Sequence, residues 1–372
     1  MMKARQRAPG EALNVVYLFI GMPVGGAEDF ALGVYPHLSP DVNARFICLR
    51  ELGMLGEESQ LAGIPVELLP IFLTKRVNPL AIWRLSRWMK VQQIDIVHSQ
   101  TYHAHLFGVA AARLAGIAAV VHQQKTLGKI SIHKGIFFRW LLRNANKILT
   151  LSPQTSADIV KQFSIPISKI EVVPNAIDDI SFCPPVDRSQ IRKKLGLPEN
   201  DFLIGTVASL HPVKNHKATI EALAILAKQG CRPKVLFIGD GPSGPELERL
   251  AREHGVLSQI LFAGRQRPVV PWMQALDLFL LPSFWEGQAL AMLQAISCEL
   301  PVLASRIEGN TAILGSVHPG LFEPDDHGKL ADLLQAAFQS GSVLSPLRSS
   351  VEVPTCRNAA EHLKQIYWDI AS

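Results

Sequence analysis

The sequence has few cysteines, and none of them are closely paired. Its 372 residues include five cysteines, an odd number, and no Cys-x-x-Cys pair. Disulfide frameworks need paired cysteines and cysteine-ligated zinc sites need clustered ones, so neither is expected. This pattern favours a reducing compartment, and we expect the protein to be cytoplasmic.

Long apolar runs are also missing. The longest candidate, residues 108–121, is interrupted by Arg113 and is shorter than the roughly 20 residues that a membrane-spanning helix needs. The basic N-terminal segment leads into a short apolar run, but Glu11 interrupts it and no small-residue cleavage pattern follows. We interpret residues 15–20 as a buried first strand, and we expect neither a signal peptide nor a transmembrane span.

Acidic residues are scarce between Lys75 and Lys147, where 12 basic residues accompany a single acid, Asp95. Residues 1–185 carry 19 Lys and Arg against 13 Asp and Glu, a net charge of +6, whereas residues 186–372 carry 18 against 19, a net charge of −1. A field of one sign attracts anionic partners. Because no nucleic-acid-binding motif accompanies the charge, we expect an anionic membrane surface or a phosphate-bearing acceptor, and no nucleic acid.

Short apolar runs alternate with amphipathic stretches along the chain. This alternation predicts an α/β protein with parallel sheets covered by helices on both faces. The predicted strands are 15–20, 45–49, 95–98, 119–123, 147–150, 202–209, 234–239, 260–263, 278–281 and 301–304. The predicted helices are 27–37, 79–90, 102–115, 135–143, 215–229, 244–254, 287–297, 328–339 and 356–370.

Residues 175–201 interrupt the alternation with prolines, acids and no sustained period, and we interpret them as a linker. The prediction is an N-terminal Rossmann-like, acceptor-binding domain at 1–185 and a C-terminal Rossmann-like, nucleotide-sugar-binding domain at 186–355. A last helix at 356–372 can cross back to the first domain. Doubly wound sheets bind ligands at the carboxyl ends of their strands, so we expect a site in a cleft where the two domains face each other.

Three loops with glycine or lysine follow predicted strands. Gly25 and Gly26 open the first helix, where backbone N–H groups favour an anion. Lys214 can reach a phosphate from the loop after residues 202–209, and Gly241 lies in the Gly-Asp-Gly-Pro turn after residues 234–239. Each feature alone is also typical of an ordinary tight turn or a solvated lysine, so only their combination indicates a binding site.

Glu286 and Gly287 directly follow another predicted strand, and Gln294 lies eight residues beyond Glu286. That spacing is about two helical turns. A carboxylate and an amide that face one ligand suit recognition of a polyhydroxyl compound. The alternatives are a helix N-cap or first-turn acid for Glu286 and a partly exposed helix position for Gln294.

The order and spacing of these motifs resemble the retaining, nucleotide-sugar-dependent glycosyltransferases of family 4, which have the GT-B fold. The resemblance covers most of the chain. The matching segments are Gly-Gly-Ala-Glu at 25–28, Val-Pro-Asn-Ala-Ile-Asp at 173–178, Ser-Leu-His-Pro-Val-Lys-Asn at 209–215, Gly-Asp-Gly-Pro at 239–242, Pro-Ser-Phe-Trp-Glu-Gly at 282–287 with Gln-Ala at 294–295, and Ile-Glu-Gly-Asn at 307–310.

The resemblance implies a role for each candidate residue. Glu286 would lie near the donor sugar, and Lys214 would stabilise the leaving diphosphate together with backbone N–H groups near Gly25 and Gly26. His122, or the adjacent 124–125 position, would fill the place of the family's catalytic histidine after the fifth strand. The other residues that we assign to donor binding are Ser209, Gly241, Arg265, Gly287 and Gln294.

Two of these positions depart from the family pattern. Ser209 stands where the family usually has an arginine that pairs with the diphosphate, and Gln294 stands where it has a glutamate that binds the ribose. An amide accepts a weaker hydrogen bond than a carboxylate, so we expect weakened ribose binding. His211, His216 or Arg265 would be the replacements for the missing arginine.

The implied activity is transfer of a hexosyl or related sugar, with retention, from a UDP- or GDP-sugar. The acceptor would be a hydroxyl of a glycan or lipid-linked compound in surface polysaccharide or lipopolysaccharide synthesis. No Asp-x-Asp motif is present, so we expect no essential metal and no other cofactor. Two alternatives stay open: a nucleotide-sugar epimerase on the same scaffold, and a catalytically weakened protein that binds a nucleotide or glycan.

Residues 79–90 and 135–143 mix aromatic side chains with arginines at helical spacing. Such helices can rest on an anionic membrane, although core-facing helices with basic outer residues show the same pattern. Together with the one-signed charge, they lead us to expect peripheral association with the inner face of the cell membrane.

Overall fold

The computed structural model describes residues 10–71, 78–123, 132–340 and 351–371. The chain divides into two compact units, Met1–Ala176 with Pro354–Ser372, and Ile177–Val353. The chain therefore passes from the first unit to the second after Ala176, which is earlier than the boundary at residue 185 that the sequence predicted. Among the described residues, no helix has both the length and the hydropathy that a membrane span requires.

The first unit contains a parallel sheet of seven described strands in the order β3-β2-β1-β4-β5-β6-β7. Its strands are β1 (Leu13–Phe19), β2 (Val42–Cys48), β3 (Val66–Leu68), β4 (Ile96–Ser99), β5 (Ala118–Gln123), β6 (Lys147–Thr150) and β7 (Ile170–Val172). Its helices are α1 (Gly26–Val34), α2 (Gly53–Leu61), α3 (Pro79–Val91), α4 (Tyr102–Ala115), α5 (Ile132–Asn144), α6 (Pro153–Phe163) and, at the end of the chain, α14 (Cys356–Ala371). The central strands are almost continuously apolar because helices cover both faces of the sheet.

The last helix, α14, belongs to this first unit. It buries Ala360, Leu363 and Tyr367 in the core that β1 and α1 share. The Tyr367 hydroxyl lies 2.8 Å from the Tyr17 hydroxyl and 2.5 Å from Nδ1 of His98. Polar contacts of this kind fix the helix in one position, because a buried hydroxyl needs a partner.

The second unit contains a parallel sheet of six described strands in the order β10-β9-β8-β11-β12-β13. Its strands are β8 (Leu203–Val207), β9 (Lys234–Ile238), β10 (Ile260–Gly264), β11 (Leu278–Leu281), β12 (Val302–Ser305) and β13 (Leu321–Phe322). Its helices are α7 (Arg188–Leu195), α8 (His216–Lys228), α9 (Gly244–Glu253), α10 (Val270–Gln274), α11 (Leu290–Ser297), α12 (Glu308–Leu314) and α13 (His327–Ser340).

The predicted linker at 175–201 is wrong in one respect, because it contains the helix α7. Asp187 caps this helix by accepting a hydrogen bond from the Gln190 N–H at 2.9 Å, and Gly196 ends it in the left-handed region. Buried Arg192 donates to the Asp277 carboxylate at 2.6 Å, which ties α7 to the sheet. The helix has eight residues, too few for a clear apolar period.

Candidate functional site

The loops that carry the predicted donor-binding residues meet at one edge of the second sheet. Residues 209–214 follow β8, residues 239–241 follow β9, residues 283–287 follow β11, and residues 307–310 follow β12. These four strands are neighbours and parallel, so their carboxyl ends lie side by side. This is the edge at which doubly wound sheets bind ligands.

The loops after β8 and β9 pack directly against each other through two glycines. Gly239 has a φ of +157°, and a Cβ there would overlap the Ala208 carbonyl oxygen. A Cβ on Gly241 would lie 2.6 Å from the Leu210 carbonyl oxygen. Side chains larger than hydrogen do not fit at this approach, which explains the Gly-Asp-Gly-Pro turn as a packing requirement.

Lys214 and Glu286 form an ion pair between the loops after β8 and β11. The Lys214 ammonium donates to Oε1 and Oε2 of Glu286 at 2.7 and 2.8 Å. The Ser283 hydroxyl also donates to Oε1, at 2.7 Å. The Glu286 side chain is 9% exposed and that of Lys214 is 24% exposed, so water screens this pair less than it would screen a surface pair. The sequence identified both residues, but not their pairing.

Asn215, which follows Lys214, was part of a predicted motif, but the sequence assigned it no role. Its backbone is left-handed, with a φ of +53°, and its side chain is buried. The amide donates to the Pro282 carbonyl at 3.1 Å and to the Pro324 carbonyl at 3.0 Å. Asparagine tolerates this backbone conformation better than most residues. An asparagine at a strand-to-helix junction was the available signal.

The first turn of α12 packs against the loop that carries Glu286. A Cβ on Gly309 would overlap the Glu286 carbonyl oxygen and lie 3.1 Å from that of Gly287. Asn310 is fully buried and donates to the Ser305 carbonyl at 2.9 Å. The sequence marked 307–310 as a motif without predicting this contact.

Glu286 lies in the loop after β11, and Gln294 lies in the helix that follows this loop, although the helix begins three residues later than the predicted 287. The helix α11 begins at Leu290, after its N-cap Ala289, so Glu286 lies in the preceding loop. The N-cap interpretation of Glu286 is therefore wrong. Gln294 is half-buried in the second turn of α11.

Two other predicted donor-binding residues are exposed. Ser209 follows β8, and its carbonyl accepts from the His211 N–H at 2.8 Å. Arg265 follows the edge strand β10, which β9 and β8 separate from β11.

His216 does not replace the missing arginine charge. Burial and, secondarily, the charge of Lys214 lower its pKa to about 4. The ring packs edge-on against Phe237 with centroids 4.9 Å apart. A histidine with this pKa is neutral at pH 7, so it adds no positive charge for a diphosphate.

The first unit places Gly25 and Gly26 at the start of α1, as predicted. Gly25 is the N-cap, and a Cβ there would lie 2.6 Å from Oε2 of Glu28. The buried Glu28 carboxylate therefore lies close to this N-cap. A diphosphate bound here would meet its negative charge, so the geometry favours Lys214 over this helix end as the anion-binding group.

His122 is fully buried at the end of β5. Its ring lies 5.3 Å from that of Phe30 and 5.4 Å from that of His98. Burial lowers its pKa to about 3, an effect that the Val173 backbone partly offsets. The role of His122 as the catalytic histidine stays a prediction. The alternative position at 124–125 lies outside the described residues.

Within the described ranges, no group of three or more His, Cys, Asp or Glu side chains is placed to hold a metal ion. The expectation that the reaction needs no metal stays a prediction.

Two Rossmann-like units, one with a Lys–Glu pair among glycine turns at the carboxyl edge of its sheet, define the class of GT-B glycosyltransferases. Comparison with known proteins supports this classification. Residues 24–180 match the model described as Glycosyltransferase Family 4, and residues 187–349 match Glycosyl transferases group 1. The chain belongs to the family 4 glycosyltransferases.

Among the curated relatives is the UDP-Gal:alpha-D-GlcNAc-diphosphoundecaprenol alpha-1,3-galactosyltransferase of Escherichia coli, 29% identical over 65% of this chain and 66% of the relative. Just under two thirds of that relative's length is therefore covered. The 2-deoxystreptamine glucosyltransferase of Streptomyces kanamyceticus is 30% identical over 67% of this chain and 69% of the relative.

Among solved structures, Anabaena Alr3699/HepE in complex with UDP and glucose matches with a TM-score of 0.80 at 19% identity. The match covers 95% of this chain and 99% of the other. At this identity the likeness establishes the fold and no more.

Proposed function

We propose that this protein transfers a hexose from a UDP-sugar, with retention of anomeric configuration, to a hydroxyl of a lipid-linked glycan. The observation that carries the proposal is the ion pair of Lys214 and Glu286 at the carboxyl edge of the second sheet. The family assignment supports the reaction type. The role in surface polysaccharide or lipopolysaccharide synthesis is supported by the activities for which relatives are named, among them a lipopolysaccharide core mannosyltransferase of Rhizobium meliloti.

Lys214 and Glu286 would have different roles in the donor site. An ammonium has three N–H donors, and Glu286 accepts two of the bonds, so one donor remains for a phosphate oxygen. Positive charge at that point stabilises the diphosphate as it leaves. The Glu286 carboxylate would accept hydrogen bonds from hydroxyls of the sugar, and Gly287 lets the backbone approach it.

UDP is the proposed nucleotide, with GDP as the other candidate from the sequence. The E. coli relative is named for UDP-Gal, and the Anabaena structure contains UDP and glucose. No metal is assigned a role, because the positive charge of Lys214 would serve the diphosphate.

Thermal unfolding with UDP, GDP and ADP, each with and without magnesium, tests this donor site. A ligand at about 100 times its Kd stabilises the native state by about 2.7 kcal/mol. We expect UDP to raise the melting temperature without magnesium. Stabilisation by GDP or ADP alone, or only with magnesium, would overturn the proposed base or the metal independence.

A binding protein with weakened catalysis is the second candidate, because Ser209 and Gln294 depart from the family pattern. Stabilisation by UDP combined with no release of UDP from UDP-galactose or UDP-glucose would favour it. In the Glu286→Gln variant, a lowered but measurable rate of UDP release with UDP binding retained would favour the transferase. Unchanged kcat would remove Glu286 from the mechanism.

The acceptor and the membrane are proposed from the surface of the first unit. The helices α3, α4 and α5 pack in one core layer and contain no acidic residue. Trp83 on α3 is 50% exposed, with the Arg87 guanidinium 5.3 Å from its ring centroid. On α5, the exposed rings of Phe137 and Trp140 stack 5.8 Å apart.

Exposed aromatics among arginines suit the interface of an anionic bilayer. We therefore propose peripheral attachment at the inner face of the cell membrane, where a lipid-linked acceptor would be within reach. No disulfide bond is assigned to any of the five cysteines in the described part of the chain, which is the pattern expected in a reducing compartment.

A further inference from the structure

A chain of buried hydrogen bonds runs from α12 to the Glu286 carboxylate. Asn310 donates from Nδ2 to the Ser305 carbonyl at 2.9 Å and to the Ser305 hydroxyl at 3.2 Å. The Ser305 hydroxyl donates to the Ser283 carbonyl at 2.5 Å, and the Ser283 hydroxyl donates to Oε1 of Glu286 at 2.7 Å. We call Ser283, Ser305 and Asn310 the serine–asparagine relay.

The sheet register brings the relay together. β11 and β12 are parallel neighbours with Leu281 opposite Ala304. Ser283 and Ser305 therefore lie at adjacent strand ends. Their proximity is not evident from the sequence, because Ser283 and Ser305 are 22 residues apart.

Water has no access to the relay. The three relay side chains are 0% exposed. A buried polar group that loses its partner is costly, and bonds in a chain reinforce one another. These hydrogen bonds therefore hold the three relay side chains in one arrangement.

The relay ends on a carboxylate oxygen that the Lys214 ammonium also contacts, at 2.7 Å. Glu286 is thus fixed from two directions, by a lysine after β8 and by a serine after β11. Gly309 already packs against the Glu286 carbonyl, so the position of the loop backbone does not require the bonds from Lys214 and Ser283. The side-chain bonds fix the carboxylate in addition to the loop.

We propose that Ser283, Ser305 and Asn310 are positioning residues that hold the Glu286 carboxylate in the orientation required for sugar transfer. This inference rests on the proposed function of Glu286. Ser283 acts directly on the carboxylate. Ser305 and Asn310 act through the backbone of Ser283.

A double-mutant cycle between Ser283→Ala and Glu286→Gln tests the inference. The assay is release of UDP from UDP-galactose or UDP-glucose, with UDP affinity measured by calorimetry. We expect Ser283→Ala to lower kcat by about tenfold to a hundredfold, because a misplacement of about 1 Å can cost about a hundredfold, with UDP affinity unchanged. In the Glu286→Gln background the same substitution should have no further effect, because residues that act as one unit are not additive.

The outcomes separate this inference from the proposed function. Full kcat in Ser283→Ala, or an undiminished loss in the Glu286→Gln background, would overturn the relay while leaving Glu286 in its role. Full kcat in Glu286→Gln would overturn the role of Glu286, and the relay with it. A melting temperature for each variant excludes general unfolding as the cause.

Hydrogen exchange supplies a test that needs no substrate. Asn310→Ala should increase amide exchange in residues 283–288. Thr311→Ala is the matched control, because its hydroxyl bonds within the same helix, to the Glu308 carbonyl at 3.2 Å. Unchanged exchange in 283–288 on Asn310→Ala, or equal exchange in both variants, would contradict the relay.

Discussion

Lys214 donates to both carboxylate oxygens of Glu286, across 72 residues of sequence. The pair joins the loop after β8 to the loop after β11, and the Phe284 N–H donates to the Val213 carbonyl at 2.9 Å beside it. The consequence is that neither side chain can be removed without affecting the other. A carboxylate this deeply buried depends on its cation and its hydroxyl partner.

Replacement of Lys214 by alanine should reduce sugar transfer by about an order of magnitude or more, because a charge-stabilising donor at the leaving group is lost. Steady-state release of UDP from a UDP-sugar measures the effect. Lys217→Ala is the control, since Lys217 lies exposed on α8. Equal activities in the two variants would remove Lys214 from the mechanism.

Replacement of Gly309 by alanine should lower both stability and kcat. The new Cβ would overlap the Glu286 carbonyl oxygen, so the loop that carries Glu286 must shift. Overpacking of this kind costs about 1–3 kcal/mol. Urea unfolding and UDP release give the two quantities. Gly328→Ala is the matched control, because its Cβ would meet only Oδ1 of Asp326, at an ordinary 3.6 Å; similar losses in both variants would count against the argument.

Acid should destabilise the first unit through its buried histidines. Burial lowers the pKa of His105 and of His122 to about 3, while the unfolded chain keeps values near 6.5. Below pH 6.5 the unfolded state therefore binds protons that the folded state does not. The stabilisation is fully present above pH 6.5 and is lost as the pH falls towards 3, at about 1.4 kcal/mol per pH unit for each histidine.

Urea unfolding at pH 7 and pH 5 measures this dependence. His122→Asn should reduce the loss of stability between the two values by up to about 2 kcal/mol. His103→Gln should leave the difference unchanged, because His103 is exposed. A wild type with equal stability at both pH values would contradict the assignment.

Binding to anionic vesicles should depend on the exposed rings of α5. We expect the protein to sediment at low salt with vesicles that contain phosphatidylglycerol, and not with phosphatidylcholine alone. Phe137→Ser with Trp140→Ser should weaken this binding, because interfacial aromatic area is lost. Leu61→Ser is the control, because Leu61 is an apolar residue on α2 that is even more exposed, at 91%. No binding of the wild type would refute the membrane proposal.

The main elements of the fold were predictable because their signals are local. β11 is continuously apolar and β1 is nearly so, with Asn14 as its exception, which is the pattern of strands covered on both faces. The elements that the sequence did not reveal include the helices α2, with nine residues, and α6, with eleven. The others are shorter, such as β13 with two residues and α12 with seven. Segments of that length carry no readable period and form because the rest of the unit packs against them.

The candidate site was also predictable only in part. Motif order and spacing along the chain were enough to select Lys214, Glu286 and the glycine turns, since these depend on residue type at a strand end. The pairing of Lys214 with Glu286, the relay from Asn310 and the burial of His122 depend on which strands become neighbours. Sheet order is set by long-range packing, so only the tertiary structure decided which of the predicted residues meet.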